Sequence, residues 1–179
     1  MIVLAGASAS GKTEVAKVLA SKYGIVKAIT TTTRDLRVGE VNGRDYFFVS
    51  KDEFQKMIDE GRFVEHTIYN DNFYGSTKDQ IAKNKCVVVD PVGLKAYIAL
   101  HDPNIITFFL DTTEETRAKR MHMRGDSEEK IKNRLIHDRE AFREENIPPV
   151  DYHIDSEIDG VERIADEIYR IYQEQMSIR

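Results

Sequence analysis

The sequence predicts an α/β fold in which a parallel sheet is covered by helices. Several short runs are apolar at consecutive positions, which is typical of strands buried on both faces. Helix-length amphipathic segments alternate with these runs, and such alternation favours a parallel sheet over an antiparallel one. Two polar and charged regions interrupt the alternation, which indicates additions to the core sheet.

The core elements follow in chain order. A strand is predicted for "IVLA" at 2–5, followed by a helix over about 11–23. The runs "CVVVD" and "NIITFFLD" predict strands at 86–90 and 104–111. "DYHID" at 151–155 predicts a last short strand before a helix over about 161–173.

The two interrupting regions have different characters. Residues 30–75 contain "YFFVS", a helix "KDEFQKMIDEG" with Gly61 as its stop, and "FVEHTIY", which together predict a small αβ insert. Residues 113–146 are highly charged and helical, with Gly125 between two helices. An exposed helical hairpin of this kind suits a lid.

Composition bounds the class of protein. A chain of 179 residues that is 41% hydrophobic suits one domain with a real core. The net charge of -5 disfavours binding along a nucleic-acid backbone but leaves a small anionic ligand open. The lone Cys86 excludes an internal disulfide and fits a reducing cytoplasm. We expect no signal peptide and no membrane span, because no apolar run approaches the roughly 20 residues required.

A phosphate-binding loop directly follows the first predicted strand. The segment "GASASGKT" fits the pattern G-x-x-x-x-G-K-[ST] and opens the first helix, the context this motif requires. Glycines allow backbone N–H groups to converge on phosphate oxygens, and the helix N-terminus adds partial positive charge. The lysine reaches the β- and γ-phosphates, and the threonine hydroxyl is a ligand for Mg²⁺. The candidate ATP-binding residues are therefore Gly6, Ala7, Ser8, Ala9, Ser10, Gly11, Lys12 and Thr13.

The loop alone leaves the acceptor of the phosphoryl group open. "DPVG" at 90–93 fits the D-x-x-G of a GTPase switch, but the nearest match to N-K-x-D is "NKCV", which lies upstream and ends in valine. A kinase for a small acceptor needs a second anion site and mobile arginines. "TTTTRDLRVGEVNGRDY" supplies Arg34, Arg37 and Tyr46 for such a site. The charged hairpin supplies Arg120, Arg124 and Arg134, although each alone also fits a solvated helix face.

These segments together resemble the guanylate kinase family, whose members transfer a phosphoryl group from ATP to GMP. The resemblance runs from Ile2 to about Ile158, and its most specific part is "TTRDLRVGEVNGRDYFFVSKDEF…GRFVEHTIYNDNFYGST". The implied fold is a P-loop kinase three-layer sandwich with a parallel core sheet, a small GMP-binding αβ insert and a helical lid. By this resemblance the core comprises 1–29, 76–112 and 147–179, the insert 30–75 and the lid 113–146.

The resemblance also implies roles for individual residues. The GMP phosphate would be held by Arg34, Arg37, Tyr46 and Tyr74, and the guanine read by Glu65, Ser76 and Asp90, with Thr30 and Glu40 close by. Guanine carries N1–H and 2-amino donors that suit carboxylates and an O6 acceptor that suits a hydroxyl. Adenine lacks the N1 proton and would leave buried acceptors unpaired. Taken alone, Glu65 also fits an exposed strand acid, and Ser76 fits the N-cap of a helix over 77–84.

The string "RMHMRGDSEEKIKNRL" resembles the family's lid. By that match Arg120, Arg124 and Arg134 would close on the phosphates, with Arg124 also near the adenine and Arg134 also near GMP. The implied catalytic residues are Lys12, Arg34, Arg124 and Arg134. The implied metal is Mg²⁺, with Thr13 as its protein ligand.

Three positions differ from the family pattern. Val88 stands where the family usually has an additional aspartate, on the same strand face as Asp90. Leu36 replaces a proline between Arg34 and Arg37. Asp155 replaces an asparagine near the adenine site. We therefore expect the metal and adenine sides to differ from the family more than the GMP side does.

The expected function is Mg²⁺-dependent phosphoryl transfer from ATP to GMP, giving ADP and GDP, in the cytoplasm. The alternatives are a guanylate-kinase-like binding module without catalysis and a related kinase for dGMP or another phosphorylated acceptor. The expected partners are GMP and ATP, without nucleic acid or membrane. A monomer and a homo-oligomer both remain open.

Overall fold

The computed structural model describes residues 1–157 and 160–178. The described residues leave out 158, near which the family resemblance ends. They also leave out 159 and 179, which belong to the predicted core segment. The strands are β1 Ile2–Ala5, β2 Val26–Lys27, β3 Thr31–Thr32, β4 Phe47–Phe48, β5 Phe63–Tyr69, β6 Asn72–Thr77, β7 Lys85–Val88, β8 Ile106–Asp111 and β9 Tyr152–Asp155. The helices are α1 Lys12–Tyr23, α2 Lys51–Asp59, α3 Pro91–Ala99, α4 Glu114–Met123, α5 Glu128–Ala141 and α6 Val161–Ile178.

The central sheet has the strand order β2-β7-β1-β8-β9 and is parallel at every pairing. All four residues of β1 are fully buried, because helices cover both faces of the sheet. Register places Leu4 beside Val88 and Phe108. The carboxyl ends of these strands therefore meet at one edge, where the phosphate loop and Asp90 emerge. The predicted α/β class with a parallel core is confirmed.

Two predicted strand bounds need correction at their ends. The strand predicted over 86–90 ends at Val88, because Asp90 instead caps α3 and its Oδ1 accepts the Gly93 N–H at 2.8 Å. The strand predicted over 104–111 begins at Ile106, because Asn104 lies in a turn bonded to Asp102. Both corrections shorten strands where a polar side chain competes for backbone hydrogen bonds.

A smaller sheet, β4-β3-β6-β5, lies in the segment predicted as an insert. Its longest pairing is the antiparallel β5–β6 hairpin. Helix α2 is capped by Ser50 and buries Phe54 and Met57 against Phe63 of β5. Gly61 follows this helix at φ 65°, as expected of a stop signal. Strand β6 continues to Thr77, so the sheet extends beyond residue 75; the division of the chain into core, insert and lid stays a prediction.

Helices α4 and α5 form the predicted helical hairpin. Gly125 has φ 84° in the turn between them, and Ser127 caps α5 by accepting the Lys130 N–H. Arg139 of α5 forms an exposed ion pair with Glu114 of α4. Within 1–157 and 160–178, no helix is long and apolar enough to cross a bilayer.

Candidate active site

The phosphate loop joins β1 to α1 at the carboxyl edge of the central sheet. Gly6 has φ 146°, and a Cβ there would lie 2.8 Å from Ser10 Oγ and 2.9 Å from the Leu110 carbonyl oxygen. Gly11 has φ 96°, a conformation that side chains with a Cβ rarely adopt. The two fixed glycines of the motif are therefore required by close approach and by backbone conformation. Within the turn that they form, the Ser10 N–H donates to the Ala7 carbonyl oxygen at 3.2 Å.

Lys12 is folded back onto this loop. Its ammonium donates to the Ala7 carbonyl oxygen at 2.8 Å and to the Gly6 carbonyl oxygen, and it lies 3.3 Å from Ser10 Oγ. Burial lowers the pKa of Lys12 to about 8, which nearby Asp138 opposes and Arg117 reinforces. A phosphate placed here would raise the pKa of this amine again by stabilising its charged form.

A cavity of about 430 Å³ lies on the α6 side of the loop. Arg120 crosses it, donating to the Ser156 carbonyl oxygen at 2.6 Å and to the Ala9 carbonyl oxygen at 3.3 Å. The Ser156 hydroxyl in turn donates to the Ser10 carbonyl oxygen at 2.6 Å. The cavity is lined by Ala9, Gly11, Lys12, Thr13, Glu14, Val15, Arg120, Arg124, Ser156, Gly160, Val161 and Ile164. We call this space the donor cavity.

A second cavity, of about 260 Å³, lies between the small sheet and α3. Ser76, which is 8% exposed, lines it from β6, and Glu65 lines it from the neighbouring β5, where the two residues are cross-strand partners. Thr30, Tyr74 and Asp90 also line it. Four of the residues predicted to surround the base therefore line one space together with Tyr74, which was predicted to hold the GMP phosphate. We call this space the base cavity. Ser76 lies within β6 and only a short 3₁₀ turn follows at Lys78–Gln80, so its alternative interpretation as a helix N-cap is wrong.

A third cavity, of about 590 Å³, lies between the other two. It shares Lys12 with the donor cavity and Val88, Val89 and Asp90 with the base cavity. Lys95 of α3 and His137 of α5 also line it. We call it the central cavity, and it adjoins both of the others through these shared lining residues.

Arg34 and Glu40 form an ion pair of 2.7 Å in the loop between β3 and β4. The second Glu40 oxygen accepts the Arg37 N–H at 2.8 Å, so this carboxylate orders the loop. The Arg34 guanidinium, followed by the Arg37 amide, lowers the pKa of Glu40. Arg34 also lies 5.4 Å from the centre of the Tyr46 ring, which itself packs edge-on against Tyr74.

The lid arginines occupy different positions. Arg120 touches the loop, whereas Arg124 donates to Asp126 at 2.6 Å within the hairpin turn while lining the donor cavity. Arg134 Nη1 lies 3.9 Å from the same Asp126 carboxylate. The structure therefore brings Arg120 and Arg124 to the donor cavity and leaves Arg134 at the hairpin turn.

Several lining residues were not predicted from the sequence. Ser156 and Gly160 follow β9, and the carboxyl edge of a parallel sheet is where such loops meet a ligand, so their position was available as a signal. Lys95 and His137 lie on helices among many other charged residues, and their spacing carries no signal of a shared cavity.

Among the residues that the structure describes, no group of three or more His, Cys, Asp and Glu side chains could hold a metal ion. Thr13 lines the donor cavity and Asp90 the central cavity. Val88, the site of the expected departure, lines the central cavity beside Asp90 with an apolar side chain.

Comparison with known proteins gives a consistent result. The family model described as guanylate kinase matches residues 1–175. The guanylate kinase of Helicobacter pylori is 34% identical, over 80% of this chain and 72% of the relative. That of Anaplasma phagocytophilum is 32% identical, over 98% of this chain and 87% of the relative. A crystal structure of guanylate kinase from Anaplasma phagocytophilum superimposes with a TM-score of 0.62 at 26% identity, covering 98% of this chain and 86% of that one.

Proposed function

Because this chain belongs to the guanylate kinase family, we propose that its three connected cavities bind, in order, ATP, the transferring phosphoryl group and GMP. The chain is an ATP:GMP phosphotransferase, a nucleoside monophosphate kinase that forms ADP and GDP. The observation that carries the assignment of sites is the shared lining: Lys12 joins the first two cavities, and Asp90 joins the last two. Phosphoryl transfer requires the two substrates to meet in one such path.

The donor would enter with its phosphates on the loop. Backbone N–H groups of the loop and the N-terminus of α1 would receive the phosphate oxygens, and Lys12 would leave its carbonyl partners for the β- and γ-phosphates. Arg120 and Arg124 would lie beside the nucleotide on the lid side. The adenosine would extend towards Ser156 and α6.

The acceptor base would occupy the base cavity. Glu65 and the free oxygen of Asp90 would accept the N1–H and 2-amino protons of guanine, and the Ser76 hydroxyl would donate to O6. Asp90 uses Oδ1 to cap α3, which fixes the direction of its carboxylate. A base without the N1 proton would leave acceptors unpaired, which disfavours AMP.

The acceptor phosphate would be held by Arg34, Arg37, Tyr46 and Tyr74. Arg34 already lies beside Tyr46 and Phe48, and its guanidinium is paired with Glu40. To bind the phosphate, Arg34 would only have to release one N–H group from that ion pair. Two guanidiniums can grip one phosphate through paired N–H bonds. Glu40 would keep the loop in shape through the Arg37 amide.

The residues present fit Mg²⁺ bound mainly through ATP. Thr13 offers a hydroxyl at the first turn of α1, and Asp90 offers a carboxylate to the same path, where a small cation keeping several waters needs few protein ligands. The cation supplies positive charge to the phosphate oxygens of ATP. With valine at 88, and with the two Asp90 oxygens assigned to the cap of α3 and to guanine, Thr13 would be the side chain that holds the cation.

In the reaction, a phosphate oxygen of GMP forms a bond to the γ-phosphorus while the bond from that phosphorus to the β,γ-bridging oxygen breaks. The bridging electron pair leaves with ADP, and GDP is the second product. We infer no covalent enzyme intermediate and no dedicated general base, so catalysis consists of positioning and charge neutralisation. Closure of the lid would bring Arg134 to Lys12 and Arg34 and exclude water from the path.

The proposal is tested by ADP release with GMP, dGMP, AMP, CMP, UMP and IMP as acceptors. We expect GMP to be preferred, and Lys12→Ala to abolish turnover while the dissociation constant for GMP stays near the wild-type value. Equal loss of GMP binding in Lys12→Ala would contradict the assignment of the two sites. GMP binding without turnover in the wild-type chain would support the non-catalytic module.

The remaining expectations concern the cellular setting. We infer a cytoplasmic enzyme acting on free nucleotides, supported by the single cysteine, which excludes an internal disulfide, and by the net charge of -5. Burial raises the pKa of the Cys86 thiol to about 12, which makes it unreactive.

A further inference from the structure

A buried ion pair ties both lid helices to the phosphate loop. Asp138 of α5 and Arg117 of α4 pair at 2.7 Å, with side chains only 4% and 8% exposed. Asp138 also accepts the Ser8 N–H at 2.9 Å and the Ser8 hydroxyl at 3.1 Å. Arg117 completes the cluster with a long contact of 3.5 Å to the Ser8 carbonyl oxygen.

The contacts hold the backbone of one loop residue from two sides, at the N–H and at the carbonyl oxygen of Ser8. Ser8 stands two residues after Gly6 and immediately before Ala9, whose φ of 61° is unusual for a residue with a Cβ. Arg120 lies one turn after Arg117 on α4, and it holds the Ala9 carbonyl oxygen at 3.3 Å. Consecutive residues of the loop are thus held by the lid helices while the loop's own glycines supply the turn.

Stability alone gives a weak reason for this pair. Two charges buried together lose hydration, and well-packed apolar side chains in their place are commonly as stable or more so. Among the described residues, Arg117 Nε is also a buried polar atom with no hydrogen-bond partner, which adds to that cost. A buried pair is best explained by a requirement for one conformation, and here the conformation it selects belongs to the phosphate loop.

We propose that Arg117 and Asp138 are positioning residues for ATP: they hold Ser8 so that the loop is shaped for phosphate before the nucleotide binds. The proposal rests on the proposed function for the identity of the ligand. Both residues would act through Ser8, although Asp138 also lines the central cavity. A preorganised loop loses less conformational freedom on binding, so removal of the pair weakens the donor site and leaves the base cavity as it was.

The test uses the double variant Arg117→Leu/Asp138→Ala in the full chain. We expect its unfolding midpoint in urea to stay near the wild-type value, because neither charge is left without its partner. We expect its dissociation constant for ATP, measured by calorimetry without GMP, to rise about tenfold, the size expected for loss of a hydrogen bond to a charged group. The KM for GMP should be unchanged, so the effect is confined to the donor.

A matched control exists on the same two helices. Arg139 and Glu114 also pair across α4 and α5, but they are exposed and bond to each other rather than to the loop. The variant Arg139→Leu/Glu114→Ala should keep wild-type ATP affinity and wild-type turnover. A similar loss of ATP affinity in this control would show that any ion pair between the helices suffices, and would overturn the role of the buried pair.

The other outcomes are equally decisive. A folded Arg117→Leu/Asp138→Ala variant with unchanged ATP affinity, or with ATP and GMP affinities weakened alike, would overturn the proposal. If that variant does not fold, Arg117→Met/Asp138→Leu replaces it, since larger apolar side chains fill the space of the pair and still remove the acceptor for Ser8. Retained ATP affinity in Arg117→Met/Asp138→Leu would then overturn the proposal. A wild-type chain that binds ATP without phosphorylating GMP would contradict the proposed function alone.

Discussion

The surroundings of Lys12 weaken the preference of its amine for the charged form over the neutral one. Its ammonium is enclosed by carbonyl oxygens of its own loop, and burial lowers its pKa to about 8. In the unfolded chain the same amine has its ordinary pKa of 10.5. The folded state therefore binds fewer protons than the unfolded state between these two values, and this residue makes folding more favourable as pH rises through that window. ATP binding requires the charged form of Lys12, and burial in the empty site makes that form less favourable than it is in water.

This sign gives a prediction for ATP binding. As pH rises above about 8, a growing fraction of the free enzyme carries neutral Lys12, so the dissociation constant for ATP should increase. Calorimetric titration with ATP from pH 6.5 to 9.5 would measure the change. GMP binding up to about pH 8.5 is the control, because over that range its proposed arginine ligands stay charged and guanine keeps its N1 proton. An ATP affinity that stays level to pH 9.5 would contradict the lowered pKa.

A second prediction concerns Glu65. Glu65→Gln replaces a carboxylate that would accept from guanine by an amide, and should lower the ratio of kcat/KM for GMP to that for AMP by about tenfold. Steady-state assays with both acceptors measure it. Glu53→Gln, at an exposed acid in the first turn of α2, is the matched control. An unchanged ratio would show that Glu65 does not contact the base.

Single residues differ in how far the sequence predicts them. The loop and the base-cavity residues were predictable because a motif or a family resemblance fixes their spacing. Arg117 and Asp138 were not predictable, because the sequence of a charged helical segment does not distinguish a buried ion pair from a solvent-exposed one. Glu40 was expected near guanine, but its two oxygens are bonded to Arg34 and Arg37, a choice that depends on loop conformation.

At the scale of elements, the β5–β6 hairpin sets the shape of the base cavity. Gly75 pairs with His66 and lies beneath the Phe63 ring, which stacks on Phe54 of α2 at 4.4 Å between ring centres. A Cβ at Gly75 would lie 2.6 Å from two atoms of that ring. The glycine therefore lets a strand of the cavity wall pass directly under the small hydrophobic core.

Gly75→Ala should damage the acceptor side alone. The added methyl displaces a ring that is already packed, and overpacking of this kind costs about 1–3 kcal/mol of stability. Because Ser76 and Tyr74 flank the position, we expect the KM for GMP to rise while the ATP dissociation constant stays unchanged. Urea unfolding and the two binding measurements test this. Loss of ATP affinity of the same size would mean that the hairpin and the phosphate loop form one cooperative unit.

Sequence patterns predicted some secondary-structure elements and missed others. The predicted segment "FVEHTIY" coincides with β5, and the amphipathic α2 begins at Lys51 as predicted but ends at Asp59, two residues before its predicted stop at Gly61. Helix α3 was not predicted, because its residues are apolar around much of its circumference and lack a helical period. Strands of two residues, such as β2 and β3, are too short to show an alternation of apolar and polar residues. Their formation depends on pairing with strands that are distant in the chain.

For the whole molecule, the fold places its chemistry along one path. Parallel strands deliver the phosphate loop and Asp90 to the same edge, and the small sheet stands opposite them. The arrangement of the core was predictable because continuous apolar runs define parallel strands. The connected cavities were not, because their walls combine residues from α3, α5 and the small sheet.

A compound that joins adenosine and guanosine through a polyphosphate tests this path. If the cavities are connected as described, it should bind more tightly than ATP or GMP by about 10²–10⁴-fold, the gain expected from linking two sites. Thermal unfolding should show a larger rise in Tm with this compound than with either nucleotide at equal concentration. Displacement of ATP alone, with GMP still bound, would contradict a continuous path.

The contact between Ser8 and Asp138 spans 130 residues of sequence, which has a consequence for synthesis of the chain. The ribosome finishes the phosphate loop early, but the carboxylate that holds it emerges only when that intervening length has been made, roughly 7–26 s later at 5–20 residues per second. A nascent chain that already displays the complete nucleotide motif therefore lacks its anchor for most of its synthesis. Tight retention of ATP on ribosome-bound intermediates should begin only after α5 has left the exit tunnel.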